Sequence, residues 1–139
     1  MAHRVRKSDA LPIDSVLPAV AESLAANQAV VLQAPPGSGK TTRVAPALLG
    51  GRWLRGRKIL MLEPRRLAAR RAAIYMAQQR DEAVGATVGY QVRLERVVGP
   101  DTRIEILTEG LLVQRLLRDP ELRDTGCIIF DEFHERSLA

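Results

Sequence analysis

Two short stretches hold residues that could do chemistry together. The first is Ala34-Pro35-Pro36-Gly37-Ser38-Gly39-Lys40-Thr41-Thr42, which follows the apolar run Ala29-Val30-Val31-Leu32. A helix-permissive segment, 44–49, comes next. An apolar strand, a glycine-containing loop, Lys-Thr and then a helix is an order that builds a phosphate cradle. Glycines let backbone N–H groups turn inward, and the helix N-terminus adds its positive dipole end. The pattern G-x-x-x-x-G-K-[ST] is met except at its first position, where Ala34 stands for Gly. In such a cradle Pro36, Gly37, Ser38, Gly39 and Thr42 line the phosphates, Lys40 reaches the outer ones, and the Thr41 hydroxyl holds Mg²⁺. The bland alternative is a Gly-Ser loop with an incidental lysine. The second stretch is Cys127-Ile128-Ile129-Phe130 running into Asp131-Glu132-Phe133-His134. An aspartate at a strand tip can hold Mg²⁺, and a neighbouring glutamate can polarise the water that attacks a γ-phosphate. Acid pairs at strand ends are common alone. Joined to the loop, this one specifies a nucleoside triphosphatase.

Positioning these groups requires strands that end on one edge of a sheet. The first expected strand is 29–34, feeding the loop. Lys58-Ile59-Leu60-Met61-Leu62 and Cys127–Phe130 read as strands buried on both faces. Thr87–Val92 and Arg103–Thr108 read as further short strands. Helices are expected from Asp14 to about Ala26, from Lys40 to Gly50-Gly51, from 65 to 80, and from Gly110 to Arg118. Pro46 falls in the second turn of one of them, a place where proline kinks a helix. Strands alternating with helices give an α/β class with a mainly parallel sheet. Ligands of such sheets bind at the carboxyl ends of the strands, which puts Lys40, Glu63, Thr108 and Asp131 along one edge. Residues 1–10 are polar and read as a flexible N-terminus.

The totals bound the rest. At 139 residues and 46% hydrophobic, the chain has the material of one domain and can bury a core. A single cysteine, Cys127, excludes an intrachain disulfide and fits a reducing compartment. No apolar run approaches the roughly 18 residues of a membrane span, and no apolar segment follows the basic N-terminus, so the default location is the cytoplasm. Lys and Arg number 21 against 16 Asp and Glu, for a net charge of +5. From Arg52 to Arg71 there are eight basic residues and one acid, Glu63. Such density suggests a polyanionic partner, nucleic acid first, or else a merely solvated arginine-rich surface. Arg65-Arg66 at a helix start opposes the helix dipole, which a phosphate ligand would explain.

These residues also resemble a family. Asp131-Glu132-Phe133-His134 followed by Glu135-Arg136-Ser137 is similar to motif II of the DEAH-box helicases, with Phe where Ala is usual. Ala34–Thr42 resembles their motif I, Leu62-Glu63-Pro64-Arg65-Arg66-Leu67-Ala68-Ala69 their motif Ia, and Val88–Arg93 the segment after it. Thr108-Glu109-Gly110-Leu111-Leu112 resembles motif Ib, with Glu where Asp is more usual. The wording is nearest the bacterial HrpB type. The resemblance implies a RecA-like three-layer α/β/α domain using ATP and Mg²⁺. It implies that Lys40, Asp131, Glu132 (general base) and His134 (coupling to a second domain) are catalytic, with Thr41 and Asp131 on the metal. It further implies that Arg65, Arg66, Arg93, Thr108, Glu109 and Gly110 meet a single nucleic-acid strand, RNA before DNA. Tyr75 falls where related helicases place an adenine-stacking arginine, so it is a candidate to stack on the base, against the alternative of core packing.

In this family ATP lies between two RecA-like domains. The resemblance therefore makes residues 11–139 the N-terminal RecA-like portion, incomplete at its C-terminus and lacking the second domain in cis. The strand that would sit between the loop strand and the motif II strand is also outside it. Alone, the chain is expected to be marginally stable with little turnover. Two other functions stay open at this point: a nucleotide-gated nucleic-acid-binding module without turnover, and a P-loop small-molecule kinase.

Overall fold

The computed structural model describes residues 11–35 and 37–131. Its helices are α1 (Leu17–Ala26), α2 (Lys40–Leu48), α3 (Arg66–Gln79) and α4 (Glu109–Arg118), and its strands are β1 (Lys58–Leu62), β2 (Val88–Val92), β3 (Glu95–Val97), β4 (Ile104–Leu107) and β5 (Thr125–Phe130). Short 3-10 turns occupy Pro12–Ser15 and Arg52–Leu54. The strands form one five-stranded sheet in the order β3-β2-β4-β1-β5. All neighbours are parallel except β3, which runs antiparallel to β2. The α/β class is therefore as expected.

Period-2 alternation sorts the side chains onto two unlike faces. Ile59, Met61, Val88, Tyr90, Ile104 and Ile106 pack with Ala45, Leu48, Ala69, Ala73 and Met76 under α1, α2 and α3. Small residues on α3 let that helix lie close to the sheet. The opposite face is thinner: Leu60, Leu62 and Leu107 pack against Leu112 of α4 and Leu122. Helices on both faces make three layers. No helix among the described residues is long and apolar enough to cross a membrane.

Two local readings are corrected. Residues 29–34 form no strand. Their alternation is present, since Val30 and Leu32 pack against the core while Val31 is 90% exposed. However, no strand among the described residues pairs with the segment, and alternation without a ladder partner leaves extended chain. Conversely, Glu95–Val97 is a strand that polar Arg93, Glu95 and Arg96 did not announce. It forms because the chain reverses at Arg93-Leu94, with Leu94 at φ 69, and Tyr90 Oη donates to the Glu95 carboxylate. Pro46 lies inside α2 as expected.

The thinner face buries a charge. Glu105 is 1% exposed. Lys58 Nζ donates to its Oε1 at 3.0 Å and the Arg115 guanidinium donates to Oε2. Burial pushes the carboxyl up, but Arg115 and then Lys58 outweigh it and hold the group below the ordinary glutamate value. A depressed folded pKa stabilises above the unfolded value of about 4.3, and that share is lost as pH falls through the folded value. Both bases keep some water, at 26% and 24% side-chain exposure. Glu105→Gln is thus expected to cost about 2 kcal/mol at neutral pH, between exposed and fully buried pairs. Urea unfolding at neutral and acid pH checks this: the variant should lose less stability on acidification than the parent, and an equal loss would contradict the assignment.

Candidate nucleotide site and nucleic-acid edge

Three parallel strands end level. Leu62 pairs with Leu107 of β4 on one side and Phe130 of β5 on the other. The residues just beyond are thereby aligned: Glu63 N–H donates to Leu107 O at 3.0 Å, and Asp131 N–H donates to Leu62 O at 3.2 Å. Glu63 is buried at this edge, 1% exposed.

The loop before α2 comes to the same edge. Gly37 and Gly39 take φ values of 80 and 95, a left-handed backbone that costs other residues about 1–2 kcal/mol. Gly39 caps α2, its carbonyl accepting from Thr42 N–H at 3.2 Å and Arg43 N–H at 3.0 Å. Lys40 and Thr41 are the first two residues of the helix, where N–H groups have no helical acceptor. Ser38 is 3% exposed, and its Oγ has no hydrogen-bond partner among the described residues. Across the cleft, Thr41 Oγ1 donates to Asp131 Oδ2 at 3.0 Å. These residues suit a phosphate chain with a hard cation: left-handed glycines, a helix N-terminus, one lysine, and a hydroxyl beside a carboxylate.

The expected nucleic-acid residues fall in a row along this edge. In sheet order the segments that follow β2, β4 and β1 carry Arg93, then Thr108-Glu109-Gly110, then Arg65-Arg66, the last residues of the second and third groups opening α4 and α3. Arg65, Arg66, Arg93, Glu109 and Gly110 are exposed and Thr108 is half-buried. Thr108 and Arg65 are the residues that precede α4 and α3. Arg115 donates to Gln91 Oε1 at 3.0 Å and so ties α4 to β2 beneath the row. Tyr75, on α3, is 40% exposed, which leaves ring surface open to solvent. Pro36, Glu132 and His134 lie outside the described residues.

One partner of the loop escaped the sequence reading. Ile13 N–H donates to Ser38 O at 3.0 Å, and Leu11 lies against Gly39. Leu-Pro-Ile carries no motif, so no sequence signal pointed there.

A family model described as DEAD/DEAH box helicase matches residues 15–137. The chain is 48% identical over 128 residues to the ATP-dependent RNA helicase HrpB of Escherichia coli, covering 92% of this chain and 16% of that protein. It is 37% identical to the DExH-box ATP-dependent RNA helicase DExH3 of Arabidopsis thaliana, covering 92% of this chain and 11% of that one. The chain thus spans only a small part of the length of these relatives. Among solved structures, the E. coli DEAH/RHA helicase HrpB superposes with a TM-score of 0.85 at 47% identity, over 91% of this chain and 16% of that chain.

The hydrogen bond between Thr41 and Asp131 couples the two side chains energetically. Thr41→Val should cost about 1 kcal/mol, and the pair Thr41→Val with Asp131→Ala should cost less than the two single changes added. A double-mutant cycle by urea unfolding measures this, and zero coupling would dissolve the link.

Proposed function

Since its residues 15–137 match the family model, the chain belongs to the DEAD/DEAH box helicase family, and we propose that it supplies the ATP-binding part of an ATP-dependent helicase acting on RNA. The observation that supports this best is the 3.0 Å bond between Thr41 and Asp131, which joins loop and strand tip across 90 positions of sequence. On this reading the backbone N–H groups at Gly37 and Gly39 and the Lys40 ammonium bind the phosphates. Thr41 and Asp131 would hold Mg²⁺, which when bound would offset negative charge on the phosphates. Glu132, next in the chain, accepts the proton of the attacking water. His134 passes the state of the nucleotide to a second RecA-like domain in cis.

The row from Arg93 through Thr108 to Arg66 is the surface on which a single strand would lie. Arginine suits it because a planar fork can follow phosphate oxygens. A small-metabolite kinase has no use for such a row. Cys127 is a free thiol, which fits a reducing compartment, and the cytoplasm is the site of action on this reading.

Binding measurements test the two halves separately. Lys40→Ala should weaken Mg·ATP binding about tenfold or more, the scale of one charge-assisted hydrogen bond, and leave RNA affinity unchanged. The double variant Arg65→Ala with Arg66→Ala should weaken single-stranded RNA and flatten its salt dependence by about 0.7 for each phosphate that is no longer neutralised. If single-stranded RNA does not bind at all, the helicase reading is wrong.

Tyr75 gives a narrower expectation. Stacking on adenine is worth about 1–3 kcal/mol by alanine substitution, so Tyr75→Ala should bind ATP about fivefold more weakly or worse, while Tyr75→Phe retains the parent affinity. Equal affinities in the two variants would remove Tyr75 from the site.

A further inference from the structure

We infer that Leu11–Ser15 is a strap that holds the phosphate loop in its binding conformation, with Leu11 and Ile13 as positioning residues. This rests on the reading of 37–42 as a nucleotide-phosphate loop. The loop needs an external brace, because the segment entering it, 29–35, joins no ladder among the described residues. Among those residues, Ser38 N–H to Pro35 O, at 3.2 Å, is the one backbone bond that ties the turn upstream. Glycines at 37 and 39 also leave the loop a wide range of alternative conformations.

The strap meets the loop at its most constrained residues. Ile13 N–H donates to Ser38 O at 3.0 Å, which fixes the peptide between Ser38 and Gly39. A Cβ placed on Gly39 would lie 2.5 Å from Leu11 Cδ1, 3.1 Å from Leu11 Cβ and 3.3 Å from Ile13 Cγ2. Two apolar side chains therefore rest on the Gly39 α-carbon. Ile13 is 2% exposed, so the packing is dry.

The strap is itself stiff, as a brace must be. Asp14 Oδ2 accepts from Leu11 N–H at 2.8 Å. Asp14 N–H donates back to Leu11 O, and Val16 N–H to Ile13 O, both at 3.0 Å. Pro12 fixes one more dihedral. Releasing the brace frees the loop to sample other conformations, and ordering it again on binding weakens affinity for any ligand that uses those N–H groups.

The test is equilibrium binding of fluorescent N-methylanthraniloyl ADP and ATP with Mg²⁺, well below the melting midpoint of each variant. Leu11→Ala should weaken both nucleotides about five- to tenfold. Leu11→Met, which restores reach, should stay within about twofold of the parent, and single-stranded RNA affinity should not move. Leu11→Val removes the Cδ1 packing while keeping a branched side chain, and serves where Leu11→Ala does not fold. Parent-like nucleotide affinity in a folded Leu11→Ala or Leu11→Val chain overturns the strap. Equal losses of nucleotide and RNA binding also overturn it, since they indicate general destabilisation. If the unsubstituted chain binds neither nucleotide and Lys40→Ala changes nothing, the phosphate-loop reading fails and the strap falls with it.

Discussion

Leu62 is paired level with Leu107 on one side and Phe130 on the other, and the candidate site depends on that double register. Side chains in a strand change face with every residue, so a one-residue slip of β5 would turn Asp131 away from Thr41. The register is protected from the far end of the strand. The irregularity between β1 and β5 lies between Lys58 and Ile59, whose partners are Thr125 and Cys127, so Gly126 is the residue taken up there. A Cβ on Gly126 would lie 2.8 Å from Leu54 Cδ2 and 3.2 Å from Leu54 O, so a side chain there would force the fully buried Leu54 to shift. The irregular spacing is absorbed at the bottom of the sheet, and the top edge stays aligned.

The two faces contribute differently. The face under α1, α2 and α3 is closed by apolar packing and supplies most of the burial. On the other face, Arg115 reaches both Glu105 on β4 and Gln91 on β2. That side chain ties α4 to both strands, while the β2–β4 ladder, which pairs Gln91 with Leu107, sets where Thr108 stands relative to Arg93. A shared polar anchor of this kind fixes geometry more than it adds stability, because Arg115 and Lys58 must both give up water to serve one carboxylate.

Much of this was legible in the residues. β1 and the core of β5 show as short apolar runs, and the loop and Asp131 show as chemistry awaiting a scaffold. What failed has a physical pattern. Residues 29–34 carry the alternation of a strand, yet a strand exists only when another pairs with it, and periodicity says nothing of partners. β3 was hidden because its hairpin turns on Leu94 at positive φ, a conformation that leucine does not advertise. Leu11 and Ile13 reach the loop across more than twenty positions of sequence, through packing and one backbone bond. Neither leaves a signature in composition.

The arginine-rich run from 52 to 71 shows why linear charge is a weak guide to a binding surface. Arg52, Arg55 and Arg57 precede β1 and lie at the foot of the sheet, where Arg57 Nε is held by Leu54 O at 3.0 Å. Arg65 and Arg66 follow β1 at its head. Five residues of strand separate the two groups by about 16 Å at 3.3 Å per residue. At that distance in physiological salt, exposed charges scarcely act together. The arginines that flank β1 therefore form two patches at opposite ends of the sheet, while Arg70 and Arg71 continue along α3. Only the upper one shares an edge with Arg93, Thr108 and Asp131. What favours a polyanion there is the convergence of several loops on one edge, which the net charge of the chain does not encode.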